Sequence, residues 1–233
     1  MIRQNVIGLI GGMSWESSAV YYRLLNEGIR SRLGGLHSVD CILRSLDFSL
    51  IEKMQAQGDW TGAASLLAKE AKSIEDFGAQ GLVLCTNTMH KVAAAIQSAC
   101  QIPFLHIADA VGKALVRANV GQVLLTGTRF TMEEGFYRDY LQTGFDLRVS
   151  VPSTSERQEI NRIIYQELCL GQTREESKHF FCDVISKAAN HGDQGVILGC
   201  TELQMLTGHA TTAIPIFDST SLHVEHILDW MLD

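Results

Sequence analysis

Eight short apolar runs, most of them rich in β-branched residues, alternate along the chain with stretches of helical periodicity. The runs are Val6–Ile10, Val39–Leu43, Gly81–Leu84, Ile102–Leu105, Val123–Leu125, Leu147–Val151, Gly195–Leu198 and Ala213–Phe217. Helical patterns such as Ser17–Arg32, Trp60–Phe77, His90–Cys100 and Gln158–Cys169 lie between them. Strand, helix and strand in succession make a βαβ unit, whose right-handed crossover lays the helix on the sheet face. The alternation therefore predicts an α/β fold built on mainly parallel sheets.

The chain also repeats itself. Gly81-Leu-Val-Leu-Cys-Thr86-Asn-Thr returns as Gly195-Val-Ile-Leu-Gly-Cys200-Thr-Glu, 114 residues later. The turn at Gly11-Gly12 is matched by Thr126-Gly127-Thr128, and Pro103-Phe-Leu-His-Ile-Ala-Asp109 has a shorter echo in Pro215-Ile-Phe-Asp218. Three motifs in one order at one offset predict two similar parallel-sheet α/β domains related by a pseudo-two-fold axis, with the active site in the cleft between them. The alternative is that any parallel α/β protein carries strand–turn–helix units with small residues at the turns. The expected division is 1–115 with 212–233 as the first domain and 116–211 as the second. The crossover falls near Lys113–Asn119, and the last strand and helix return to the first half.

Composition narrows the functions available. Of 233 residues, 46% are hydrophobic and 19% charged, which supports a sizeable core and excludes a disordered chain. The net charge of −7 and the lack of a Lys/Arg run argue against nucleic acid and against an anionic membrane surface. A small anionic substrate remains open, because clustered backbone N–H groups bind anions inside acidic proteins. No segment reaches the roughly 18 apolar residues needed to span a bilayer, and Val6–Gly12 is too short for a signal sequence. The expected setting is cytoplasmic, with the six cysteines as thiols. None are spaced as C-x-x-C, so a structural zinc site is not expected.

In open parallel sheets, ligands bind beyond the carboxyl ends of the strands. Four segments there join a strand to a helix through small polar residues: Gly11-Gly12-Met13-Ser14, Thr86-Asn87-Thr88, Thr126-Gly127-Thr128 and Cys200-Thr201-Glu202. Ser14 suits the cap of the first helix. Singly, each turn reads as ordinary capping; together, their N–H groups and hydroxyls suit a carboxylate at the positive ends of helix dipoles. In the repeat, Thr86 corresponds to Cys200. Cys85 lies one residue earlier, and alternating strand side chains favour Thr86 over Cys85 as the partner of Cys200. A thiol at a helix N-terminus is expected to have a lowered pKa and to serve as a base. Two groups on opposite faces of one carbon can remove a proton from one side and return it from the other.

At this point the residues resemble a known family. Gly11-Gly12-Met13-Ser14, Cys85-Thr86-Asn87-Thr88-Met89-His90 and Gly199-Cys200-Thr201-Glu202 are similar to the aspartate/glutamate racemases, over essentially the whole chain. Leu33-Gly-Gly-Leu-His37, His106-Ile-Ala-Asp109 and Glu167-Leu-Cys-Leu-Gly171 are similar to its bacterial L-aspartate/glutamate-specific or broad-specificity branch. The resemblance implies an amino-acid racemase that uses neither pyridoxal phosphate nor metal, acts on a small amino acid, and is commonly a homodimer. Carried over, Cys200 is the thiol acid/base, and Thr86 stands where most members have a second cysteine. Asn87, Thr88, Thr128 and Thr201 match positions that hold substrate, and Met13 and Ser14 lie in the matched first turn. A hydroxyl is a poorer base than a thiol, so the expected enzyme is directional, efficient when Cys200 is the abstracting base; the resemblance implies abstraction from the L-isomer, and so L to D.

Arg44, Arg129 and Arg157 are candidates for a substrate carboxylate. The Gly8-x-x-Gly11-Gly12 turn is not G-x-G-x-x-G, which argues against a dinucleotide site. His223 and His226 flank Glu225 at metal-ligand spacing, but an exposed helix face is the expected reading. His106, Asp109 and Asp218 follow strands and either orient groups at the site or cap helices. The rival readings are an isomerase of maleate type or a decarboxylase of arylmalonate type on the same scaffold, and a non-catalytic carboxylate-binding protein.

Overall fold

The computed structural model describes residues 4–208 and 212–233. The chain divides into two compact units, one running to Ile107 and completed by His223–Asp233, the other Ala108–Leu222.

In the first unit β1 (Ile7–Gly11), α1 (Trp15–Leu33), β2 (Cys41–Ser45), α2 (Phe48–Gln57), α3 (Trp60–Asp76) and β3 (Gly81–Leu84) follow one another. A 3-10 turn at Thr88–Val92 then leads into α4 (Ala93–Ala99). The sheet is parallel with order β2-β1-β3, β1 pairing Ile10 with Leu84. Strand alternation sorts its side chains between two cores. Ile10, Leu82 and Leu84 pack with Ile51 of α2, Leu67, Ala71 and Ile74 of α3, and Ile96 of α4. Ile7, Leu9, Val83 and Cys85 pack on the other side with Tyr21, Leu25 and Ile29 of α1 and with Val224, Ile227, Leu228 and Met231 of the C-terminal helix. Burying each large aliphatic chain contributes about 1.5–3 kcal/mol, so both faces hold the strand ends in place.

In the second unit come α5 (Ile107–Arg117), β4 (Gln122–Gly127), α6 (Arg129–Glu133), α7 (Gly135–Phe145), β5 (Arg148–Ser150), α8 (Thr154–Gln166) and α9 (Glu175–Asn190). They are followed by β6 (Val196–Gly199), a 3-10 turn Thr201–Leu203, α10 (Gln204–Thr207), β7 (Ile216–Asp218) and α11 (Ser219–Leu232). The parallel order is β5-β4-β6-β7. Leu124, Val196 and Leu198 face a core built by Ile160, Ile163 and Ile164 of α8 and Phe181, Val184 and Ile185 of α9. A capping box starts α8, in which Ser153 and Glu156 each satisfy the other's backbone N–H.

The repeated motifs are repeated strand pairs: β1 beside β3 in one sheet and β4 beside β6 in the other, with Thr126 opposite Leu198 and Gly127 opposite Gly199. Three expectations change. The strand expected at Ile102–Leu105 is a single parallel bridge, Leu82 with Phe104, because Pro103 cannot donate to a ladder. The last strand does not return to the first half: β7 pairs with β6, and only the helix after it crosses back, at His223. The earlier crossover falls between Ile107 and Ala108, so α5 belongs with the second unit, not the first. The expected boundary at 211 lies outside the described residues.

Candidate active site

The first unit gathers two of the singled-out turns at one end of its sheet. The Cys85 N–H donates to the Ile10 carbonyl at 2.9 Å, so the exits of β1 and β3 lie side by side. Gly12 has φ +83°, and a Cβ there would sit 2.2 Å from the Leu46 carbonyl oxygen, so the turn admits only glycine. Its N–H donates to Ser18 Oγ at 2.7 Å, and Ser18 Oγ donates to the Ser14 carbonyl at 3.1 Å. Ser14 caps α1 by accepting from the Ser17 N–H, as its position suggested. Met13 is buried in the α2–α3 core rather than open to solvent.

The β3 exit separates Cys85 from Thr86. Cys85 continues the strand alternation into the α1 core and is fully buried. Burial pushes its thiol well up, so it stays protonated. Thr86 is partly exposed, and Asn87 and Thr88 are buried in the turn behind it. The backbone of Thr86 is held by His90, whose Nδ1–H donates to the Thr86 carbonyl at 2.8 Å. On the other ring nitrogen, Nε2 accepts from the Ile107 N–H at 3.2 Å. Only the neutral Nδ1–H tautomer satisfies both bonds. Burial, then the neighbouring His106 and His223, holds the His90 pKa well below the ordinary value, which agrees with that assignment. Among the described residues no carboxylate or imidazole bonds the Thr86 hydroxyl.

In the second unit the β4 and β6 exits adjoin. A Cβ on Gly199 would lie 2.6 Å from the Thr126 carbonyl oxygen, so close strand approach explains the glycine before Cys200. The Thr126 hydroxyl is buried and donates to the Ile197 carbonyl at 2.7 Å. Thr128 caps α6, accepting from the Thr131 N–H. Cys200 and Thr201 are partly exposed. The Cys200 thiol donates to Glu202 Oε2 at 3.0 Å. Burial, then the Glu202 charge and this bond, push the thiol pKa well above its ordinary value. This overturns the expectation of a lowered thiol. Only one 3-10 turn and the four-residue α10 follow Cys200, too little aligned backbone to outweigh an adjacent carboxylate. The arrangement is a thiol already hydrogen-bonded to a proton acceptor.

Glu202 and His90 stand in the quoted motifs but received no role from the sequence. The signals were local: a carboxylate two residues beyond a strand-end cysteine inside a tight turn, and a histidine four residues beyond Thr86, where a helical turn carries a side chain back to the i−4 carbonyl.

Two of the three arginine candidates are committed elsewhere. Arg44 pairs with Glu70 at 2.7 Å, and Arg157 with Glu133 at 3.1 Å and the Pro152 carbonyl at 2.7 Å. Arg129, exposed at the start of α6, makes no ion pair among the described residues. His223 is not on an exposed face. It is fully buried, donating from Nε2 to the Leu105 carbonyl at 2.9 Å and accepting from the Tyr21 hydroxyl at 2.8 Å. Asp109 accepts from the Tyr140 hydroxyl at 2.9 Å, and Asp218 caps α11 through Ser221. His106 is buried edge-on to His90. Among the described residues no group of three or more His, Cys, Asp or Glu is placed to hold a metal ion, and no helix is long and apolar enough to cross a membrane.

The chain is similar to known proteins over nearly its whole length. Broad specificity amino-acid racemase from Bacillus subtilis (strain 168) is 26% identical over 218 residues, 93% of each chain. A Yersinia pestis structure assigned as an Asp/Glu racemase is 46% identical, with a TM-score of 0.93 over 98% of this chain and 100% of that one. An aspartate racemase homologue from Pyrococcus horikoshii OT3 is 32% identical, with a TM-score of 0.85 over the whole of both chains. The Asp/Glu/hydantoin racemase family model matches residues 10–227, and the chain belongs to that family.

Proposed function

We propose that the protein is a cofactor-independent amino-acid racemase that inverts the α-carbon of aspartate, glutamate or a broader amino-acid set, with Cys200 and Thr86 as its acid/base pair. One observation carries the reading in a chain of this family: the protonated Cys200 thiol is the donor in a hydrogen bond to a carboxylate, Glu202, at 3.0 Å. In the L-to-D direction the thiol proton passes to Glu202, and the thiolate takes the α-proton. The electron pair left on carbon spreads into the substrate carboxylate, whose developing charge needs N–H and hydroxyl donors. Asn87, Thr88, Thr128 and Thr201 are the candidates for that role, and Met13 and Ser14 of the first turn are further candidates for holding the substrate. Thr86 returns a proton to the other face, directly or through water; Glu202 then releases its proton to solvent and Thr86 regains one, which restores the starting state. The reading requires that the two groups act on opposite faces of one α-carbon.

The pair is unequal. Cys200 has a proton acceptor in contact, and Thr86 has none among the described residues. Abstraction by Cys200 is therefore the faster half, and the enzyme favours one direction, L to D. The family resemblance further supports a homodimer, which light scattering of the purified chain reads directly.

Proton NMR in D₂O tests the proposal. Chelator-treated enzyme without added cofactor is incubated with L-aspartate, L-glutamate and a panel of L-amino acids. Loss of the α-proton signal, appearance of the D-isomer on a chiral column, and neither with Cys200→Ala, is the expected result. Failure to exchange with any amino acid ends the racemase reading.

A further inference from the structure

Beyond the two turns, the second unit holds three oxygens that no group among the described residues satisfies. The Tyr137 hydroxyl, Asp218 Oδ1 and the Thr220 hydroxyl are buried atoms without a hydrogen-bond partner among the described residues. Tyr137 is fully buried and Thr220 is 1% exposed. Buried polar groups are almost always paired, so orphans point to something that completes them. Asp218 is also pre-set: its Oδ2 accepts from the Ser221 N–H at 3.0 Å and from the Ser221 hydroxyl at 2.5 Å, which fixes Oδ1 in place. Among the described residues no lysine or arginine pairs with it. The Asp218 charge reaches Tyr137 and, after burial, helps hold that phenol protonated.

Asp218 lies on the strand beside the one that leads to Cys200, and its charge is felt at Tyr137. Asp218 stands opposite Leu198 in the β6–β7 ladder, two residues before the thiol. Ser219 donates to the Leu198 carbonyl at 2.7 Å and pins the start of α11 to that strand. Strand spacing and rise put the Asp218 and Cys200 Cα atoms on the order of 8 Å apart.

All three oxygens can accept, and one carries a negative charge. An ammonium offers three N–H donors and one positive charge, which meets both demands at once. We propose that Asp218, Tyr137 and Thr220 form the acceptor site for the α-ammonium group of the amino-acid substrate. The turns supply donors suited to carboxylates; this cluster supplies the opposite chemistry and so tells an amino acid from a plain dicarboxylate. The inference rests on the racemase reading and adds to it a determinant of substrate class.

The test compares binding of L-aspartate and L-glutamate with that of succinate and glutarate, which lack only the amino group. Calorimetry on the full chain reads affinity, and kinetics read KM and kcat. Asp218→Asn is expected to weaken amino-acid binding on the order of tenfold or more while leaving the diacids unchanged or tighter. Tyr137→Phe removes only an oxygen without a protein partner. Its KM is expected to rise several-fold with kcat held and no fall in melting temperature, whereas a purely structural phenol would leave KM alone. Thr220→Val should act in the same direction, so the idea stays testable if Asp218→Asn disturbs the α11 cap. Variants that bind and racemise amino acids with unchanged KM, or that weaken amino acids and diacids equally, overturn the inference and leave the racemase standing. A wild-type protein that neither binds nor exchanges any amino acid overturns both, and the fault then lies with the functional reading.

Discussion

The exits of β3 and β6 are the same structural device put to different use. Each follows a short buried parallel strand and enters a single 3-10 turn. At the first aligned position stand Cys85 and Gly199. In one unit the strand face is open to a core and a thiol fills it; in the other the Thr126 carbonyl leaves no room for any side chain. At the next position stand Thr86 and Cys200, both partly exposed. Thr86 is backed by a neutral histidine that holds its backbone, and Cys200 by a carboxylate that accepts its proton. The two turns thus present a hydroxyl on a held backbone and a thiol with a proton acceptor in contact. What sets them apart is the residue four positions on in one turn and two positions on in the other.

The largest consequence concerns the thiol. Cys200→Ala is expected to lower α-proton exchange by about 10³-fold or more, since the proposed base is gone. Cys200→Ser makes the two exits chemically alike, and its activity should stay close to that of the alanine variant. Glu202→Gln is expected to cost about 10²-fold near neutral pH. Its pH profile carries the argument. In the wild type Glu202 takes the thiol proton within the site, so the thiolate forms without prior ionisation to solvent. In the variant only the ionised thiol can act, so the rate should climb about tenfold per pH unit towards the thiol pKa. A variant that is low and flat across alkaline pH would assign Glu202 a structural role instead.

Acid should separate the two regions as well. His90 and His223 are buried neutral in the first unit, the latter with its pKa pushed down to about 3 by burial. Below about pH 6.5 the unfolded chain binds protons that the folded chain refuses, so stability falls as pH drops. Each histidine contributes up to about 1.4 kcal/mol per pH unit while its folded form stays neutral, and the pair up to about 2.7. Denaturant titrations between pH 7 and 5 measure that slope. His223→Gln should remove one histidine's share, and an unchanged slope would place the acid sensitivity elsewhere.

Much of this was legible in the sequence, for identifiable reasons. Apolar runs broken by helical periods reveal parallel strands because both faces of the central strands β1, β3, β4 and β6 are buried. The repeat reveals the paired exits because both use small residues where strands crowd. The alternation rule separated Cys85 from Thr86 because it is a local property of the backbone. The rest depends on distance or on competing terms. His223 looked like a solvated helix residue, because nothing in the chain tells that Tyr21, 202 positions away, would bond its ring. The thiol pKa is opposite in sign to what a helix end would give because burial and the Glu202 charge outweigh a helix of only four residues. The last strand was assigned to the wrong sheet because a short apolar run does not say which edge it joins.

The direction of catalysis gives a sharper test of the unequal pair. Thr86→Cys restores a thiol where a hydroxyl now stands. The D-to-L rate is expected to rise on the order of tenfold, with a smaller change in the L-to-D rate, measured by chiral chromatography from each pure isomer. A D-to-L rate no higher than wild type would mean that the hydroxyl does not limit that half-reaction.

Cys85 supplies the smallest expected effect and the strictest control on the comparison. It sits one residue from Thr86 and is a natural rival for the same role. Its side chain, however, points into the α1 core with Leu9, Tyr21 and Val224, and burial keeps its thiol protonated. A thiol in that position reaches substrate only if the core opens. Cys85→Ala should therefore leave exchange in both directions within about twofold of wild type, while the small cavity costs about 1–2 kcal/mol of stability. The reverse result, lost exchange with unchanged melting, would return the second proton-transfer role to Cys85. Thr86 would then be a bystander, and the β3 exit would work as a thiol site like its counterpart in β6.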